Sequence, residues 1–109
     1  MLDGLKTALA STNLSFTLFA WSHAPSGDYG VISLNNQTEL SADADAGSEK
    51  MLEGFVDYFA RNDALTARES IETALRGLGI WWSLNSVQYE EDTGYIHYEW
   101  EWRDTNGSV

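Results

Sequence analysis

Apolar and polar positions recur along this chain with two different periods, and the switches between them mark the elements. Leu2, Leu5, Ala8 and Leu9 fall at helical spacing, and Asp3 sits where the helix dipole favours negative charge, so residues 2 to 11 are predicted as a short amphipathic helix. From Ser15 to Ser22 the period becomes two, with Phe16, Leu18 and Ala20 on one face and Thr17, Phe19 and Trp21 on the other. Aromatic and β-branched residues dominate both sets, which predicts a strand buried on both sides. Pro25-Ser26-Gly27-Asp28 combines a fixed φ with a glycine free to take positive φ, a turn expected to lead into a second strand, Tyr29 to Leu34, and so form a first hairpin.

Residues 35 to 50 carry Asn35, Asn36, Asp43, Asp45 and Gly47 among small residues, a composition read as a mobile loop. Leu52 to Phe59 returns to strand character, with Leu52, Val56 and Tyr58 on one side and Glu53, Phe55, Asp57 and Phe59 on the other. A helix starting near Ser48 is the alternative, because Glu49 to Glu53 are good helix formers. The second helix is the clearest element: Thr66 and Glu69 have capping-box spacing, and Ala67, Ile71, Ala74, Leu75 and Leu78 form one stripe that ends at Gly77 or Gly79. Trp81 to Tyr89 reads as a strand, and Glu91-Asp92-Thr93-Gly94 as a tight turn. The last strand places Ile96, Tyr98, Trp100 and Trp102 on one face and Tyr95, His97, Glu99, Glu101 and Arg103 on the other, a register in which a slip of one residue would bury Glu99 and Glu101. Residues 104 to 109 are expected to fray. This order implies one α+β domain over residues 1–109, a two-layer fold in which two helices pack on one face of an antiparallel sheet of about five strands.

Composition narrows the function classes. At 109 residues, with 43% hydrophobic and 13% aromatic content, the chain suits a single buried core, and its apolar runs are far shorter than the roughly 20 residues of a membrane helix. Asp3, Gly4 and Lys6 interrupt the apolar residues at the start, so no secretory signal is expected, and without cysteine there is no thiolate metal site or disulfide framework. Six basic residues against 17 acidic ones give a net charge of −11, the reverse of a phosphate-gripping surface. Such acidity serves solubility, lets DNA slide past, or imitates DNA.

Candidate chemistry is sparse. His97 and Glu99 share a strand face and could contribute to a divalent-metal site, but two ligands are too few, and a solvated strand face explains them far better. His23 would need a nucleophile and an orienting acid to act as a base, and the Ser26-Gly27-Asp28 turn lacks the spacing and lysine of a phosphate loop. Glu90, Glu91 and Asp92 cluster without the spacing of a calcium loop, which suggests an exposed acidic tip. No catalytic residue, cofactor or metal site is assigned. Five tryptophans, including Trp81 with Trp82 and Trp100 with Trp102, invite a sugar-stacking reading. Their surplus on both sheet faces also suits a domain covered by another subunit.

The segment Pro25-Ser26-Gly27-Asp28-Tyr29-Gly30-Val31, the strand Phe55-Val56-Asp57-Tyr58-Phe59 before the second helix, and the closing hairpin from Asn85 to Trp102 resemble the small neck and tail-completion proteins of long-tailed bacteriophages, in particular the tail terminator group. The resemblance spans nearly the whole chain. It implies a structural virion protein at the tail or head–tail interface, assembled in the host cytoplasm as a ring, with six subunits suggested. The ring would cap the tail tube, meet the tube and neck proteins, and let DNA pass without specific binding. Glu90, Glu91, Asp92, Glu99 and Glu101 are then expected on an acidic surface or lumen, and Asn35, Asn36, Asp43 and Asp45 on an inter-subunit loop. The competing readings are an acidic DNA-mimic inhibitor of a host defence protein and a carbohydrate-binding module.

Overall fold

Backbone pairing, more than helix packing, organises this chain. The computed structural model describes residues 2–21, 27–39, 50–62, 64–105 and 108–109. Among them lie helix α1 (Asp3–Ala10), strands β1 (Phe16–Leu18), β2 (Tyr29–Glu39) and β3 (Lys50–Ala60), helix α2 (Leu65–Gly77), and strands β4 (Trp81–Glu90) and β5 (Tyr95–Asp104). The strands form one sheet in the order β1-β2-β3-β5-β4. Both helices pack on one face of it, the expected α+β arrangement. No helix among the described residues is long and apolar enough to cross a membrane.

The core is the helix-side face. Ile32 of β2, Val56, Tyr58 and Ala60 of β3, and Tyr98, Trp100 and Trp102 of β5 are buried against Leu5 and Leu9 of α1 and Ile71 and Leu75 of α2. Alternation along β5 therefore matches the sequence pattern. Gly54 faces Trp102 in the β3–β5 register, and a Cβ there would strike the Ser33 carbonyl and the indole ring, so the close approach of backbone and tryptophan requires glycine. Polar handles then fix α2 on the sheet. Trp100 Nε1 donates to Glu72 Oε2 at 2.9 Å, Glu72 also meets Arg68 Nε at 3.3 Å, and the Ala64 amide donates to the Tyr98 hydroxyl at 3.3 Å. The Arg76 guanidinium lies 5.6 Å from the centre of the Trp82 ring.

Several expectations are corrected. The sheet is mixed, because β1 pairs with β2 in parallel, Phe16 opposite Gly30, so these two strands are not a hairpin. β1 is also only three residues long. Phe19 takes φ 66, which turns the chain out of the strand and leaves its ring exposed, and the returning segment is tethered where Trp21 Nε1 donates to the Gly30 carbonyl at 3.0 Å. The predicted loop begins later than expected: residues 35 to 39 continue β2 and Lys50 already belongs to β3, with Asn36 opposite Glu53 and Glu39 opposite Lys50. Backbone ladders need no apolar side chains, so composition concealed this extension; the register shift between Leu34 and Asn36 marks a bulge at Asn35. The expected loop residues 40–49 lie outside the described residues, as does the Pro25-Ser26 part of the predicted turn.

At the α2 start, Ala64 is the capping residue and makes no side-chain cap, so Thr66 lies inside the helix and the capping box does not form. The expected fraying is likewise not seen at the described ends of the last segment. Asp104 is the final residue of β5 and is 2% exposed; its carboxylate accepts from the Val109 amide at 3.0 Å, and the Val109 carbonyl accepts from the Gly4 amide at 3.1 Å. A buried carboxylate demands such donors. The glycine signals hold: Gly79 follows α2 with φ 70, and Gly94 closes the β4–β5 turn with φ 76.

Truncation of Leu75 or Ile71, both 0% exposed, to Ala is expected to cost about 2–5 kcal/mol; a loss below about 1 kcal/mol on chemical denaturation would remove α2 from the core account. Burial, followed by the charge of Asp28, pushes the Tyr58 phenol from 10.0 up to about 12. The folded state thus keeps this proton after the unfolded chain releases it. Its contribution is complete below pH 10 and is lost as pH rises through the folded value, in total roughly 2–3 kcal/mol. In an absorbance titration of the folded protein, a phenol ionising at about 12 should be lost in Tyr58→Phe; a Tyr58 phenol titrating near 10 would contradict the burial.

Candidate functional site

The opposite face of the sheet is built by the other half of the same alternation, and no described helix covers it. Because β3 and β5 pair antiparallel with Asp57 opposite Glu99 and Phe59 opposite His97, the outward residues of two interior strands converge at its middle. His97 is the focus. Its ring stacks on Phe59, centroids 4.3 Å apart and 20° from parallel, so its orientation is restricted. Nε2 lies 2.7 Å from Asp57 Oδ1 and Nδ1 lies 3.4 Å from Glu90 Oε2. Glu99 completes the group: ligand atoms of Asp57, His97 and Glu99 all lie within 4.8 Å of one another, each on a half-buried side chain. The hydrogen bond to Asp57 raises the His97 pKa above its ordinary value; desolvation opposes the rise, and the charges of Asp57, Glu90 and Glu99 add to it.

Beside this group sits an aromatic cluster. Tyr29 stacks on Phe59 at 4.8 Å, while Tyr95 meets the two rings edge-on at 5.6 and 6.3 Å. Trp21 meets Tyr29 edge-on at 6.5 Å. The Arg61 guanidinium lies 4.5 Å from the Tyr95 ring centre, and the Tyr95 hydroxyl donates to the Gly27 carbonyl at 3.2 Å. These contacts leave Tyr95 7% exposed on a face that no described helix covers. Farther along, Arg103 lies between Glu53 at 3.7 Å and Glu101 at 3.5 Å and over Trp81 at 4.7 Å.

The sequence-derived residues are thus distributed unevenly. Glu90, Glu99 and Glu101 stand on the outer face, Glu90 and Glu99 near His97 and Glu101 at Arg103. Glu91 and Asp92 are exposed on the β4–β5 turn and join neither group. Asn35 and Asn36 lie in β2, not in a loop, while Asp43, Asp45 and His23 lie outside the described residues. Trp100 and Trp102 are buried and present no face to a sugar. Asp57 was the missed third member of the His97 group. Its outward direction was readable from the alternation of residues 52 to 59, but its partner across the ladder was not, since 40 residues separate it from His97.

A groove of about 760 Å³ between the helices is lined by Ala8, Ser11, Thr12, Ser70, Thr73 and Ala74 among others, and the Ser11 and Thr12 hydroxyls there donate to the Ala8 and Leu9 carbonyls of α1. The outer-face cluster is therefore the better candidate site. No protein-family model and no curated protein matches the chain.

Proposed function

We propose that the protein is a structural subunit of a ring, in the role its resemblance to phage tail terminators implies: a head–tail joining component that caps the tail tube and lets DNA pass. The observation that carries this reading is the open edge of the sheet. β4 is ten residues long and pairs only with β5 among the described strands. Trp81, Val87 and Tyr89 on it are 49%, 48% and 66% exposed. A long edge with unpaired backbone groups and exposed apolar side chains is a template for another chain, and β4 contains neither the lysine nor the proline that commonly blunts one.

Repeated contact between such an edge and a different surface of the next copy is heterologous, and it closes into a ring when the rotation permits. The uncovered outer face, with Phe55, Val31 and the aromatic cluster on it, offers further area for the neighbouring copy or the tail tube. Charge supports the passage role. A subunit carrying −11, multiplied around a ring, repels the phosphate backbone rather than clamping it, so DNA meets no attractive barrier. Acid residues Glu90, Glu91, Asp92, Glu99 and Glu101 are the proposed contributors to that surface.

Imaging of assembled particles tests the reading. The protein is expected as a closed ring, of six subunits, on the tail axis, and Val87→Lys with Tyr89→Lys should abolish its incorporation while leaving the isolated fold intact. Absence from particles, or isolated copies away from the axis, would overturn the proposal, and competition with DNA for a basic protein would favour an inhibitor instead.

A further inference from the structure

We propose that Asp57, His97 and Glu99 form a binding site for a divalent transition-metal ion, with Zn²⁺ the best fit. The inference concerns one chain and is independent of the ring reading. Its geometric basis is the β3–β5 register, which sets Asp57 directly opposite Glu99 and leaves His97 two residues along the same face of β5. Both strands are interior to the sheet, so their backbones are held on either side and the three side chains start from a rigid base.

Nε2 of His97 is the nitrogen that faces the ligand group. Each ring nitrogen faces a carboxylate, Nδ1 toward Glu90 at 3.4 Å and Nε2 toward Asp57 at 2.7 Å. In the metal-free protein Nε2–H donates to Asp57; with that proton displaced to Nδ1, beside Glu90, the Nε2 lone pair and the Asp57 carboxylate face the same point and can share a cation. A metal ion can replace the shared proton there. In the metal-bound form Glu90 plays the part that carboxylates play behind metal-ligating histidines, fixing the tautomer and raising ligand basicity. Phe59 holds the ring plane from one side through its stack. Metal–ligand bonds of about 2.0–2.2 Å place neighbouring donor atoms roughly 3–3.5 Å apart, so modest side-chain rotation converts the present spacing into a coordination set.

The donor set also selects among ions. Two carboxylates with one imidazole suit a borderline ion, whereas Mg²⁺ and Ca²⁺ favour all-oxygen shells with more ligands than this face supplies. Once metal binding has displaced the imidazole proton, the divalent ion largely compensates the carboxylates of Asp57, Glu90 and Glu99 around it. Three protein ligands on a face that no described helix covers leave the remaining positions to water.

Calorimetric titration of the chelator-stripped, full-length protein with ZnCl₂ in a non-coordinating buffer tests this directly. A single ion per chain is expected, with association weakened about tenfold or more by Asp57→Asn, His97→Asn or Glu99→Gln. Glu91→Gln and Asp92→Asn, on the exposed turn, should leave it unchanged. Long-range proton–nitrogen spectra of the wild-type protein supply a readout that survives any folding defect in the variants: Zn²⁺ should shift the His97 Nε2 resonance while Nδ1 keeps its proton. Binding weaker than about 1 mM, affinity equal in all three ligand variants, or a His97 resonance unmoved at saturation would overturn the assignment.

Discussion

The pairing of β3 with β5 is the constraint on which the remaining structure depends, because both are interior strands and each position along them decides the content of two faces at once. With Val56 opposite Trp100 and Tyr58 opposite Tyr98, the large side chains of both strands turn toward the helices. The intervening residues, Asp57, Phe59, His97 and Glu99, turn outward by the same alternation. A slip of one residue would exchange the two sets, burying the carboxylates and exposing two tryptophans. Core stability and outer-face chemistry are therefore consequences of one register.

Packing on the helix side adds direction to that register. Gly54 admits the Trp102 ring against β3, and Trp100 reaches Glu72 on α2, so hydrogen bonding as well as apolar area determines where α2 lies. Trp102 Nε1 is different: it is buried with no hydrogen-bond partner among the described residues, a cost of about 1–3 kcal/mol that the surrounding burial must offset. On the outer side the rings of Tyr29, Phe59 and Tyr95 shield one another, which lets a face that no described helix covers retain large aromatic side chains. The open β4 edge and this face are the two surfaces at which an assembly can add area.

Periodicity made much of this fold legible. The 3.6 period located α2, the alternation of residues 95 to 103 assigned both faces of β5, and Gly79 and Gly94 marked the positions of positive φ. Local signals failed where tertiary structure overruled them. Phe19 looked like a strand residue but leaves the strand, the Thr66 and Glu69 spacing resembled a cap two residues inside the helix, and polar residues 35 to 39 extend a strand by backbone pairing. The parallel partnership of β1 was hidden because a turn-like segment does not state which edge the returning chain meets. Of the outer-face site, His97 and Glu99 were visible as an i, i+2 pair, whereas Asp57 and Glu90 enter it only through strand pairing.

The register itself can be read by nuclear Overhauser spectroscopy on the 12.2 kDa protein. Cross-strand backbone contacts should connect Asp57 with Glu99, Val56 with Trp100 and Phe55 with Glu101. Contacts that instead connect Asp57 with Tyr98 or Trp100 would place the strands one residue out of step and contradict the account of both faces.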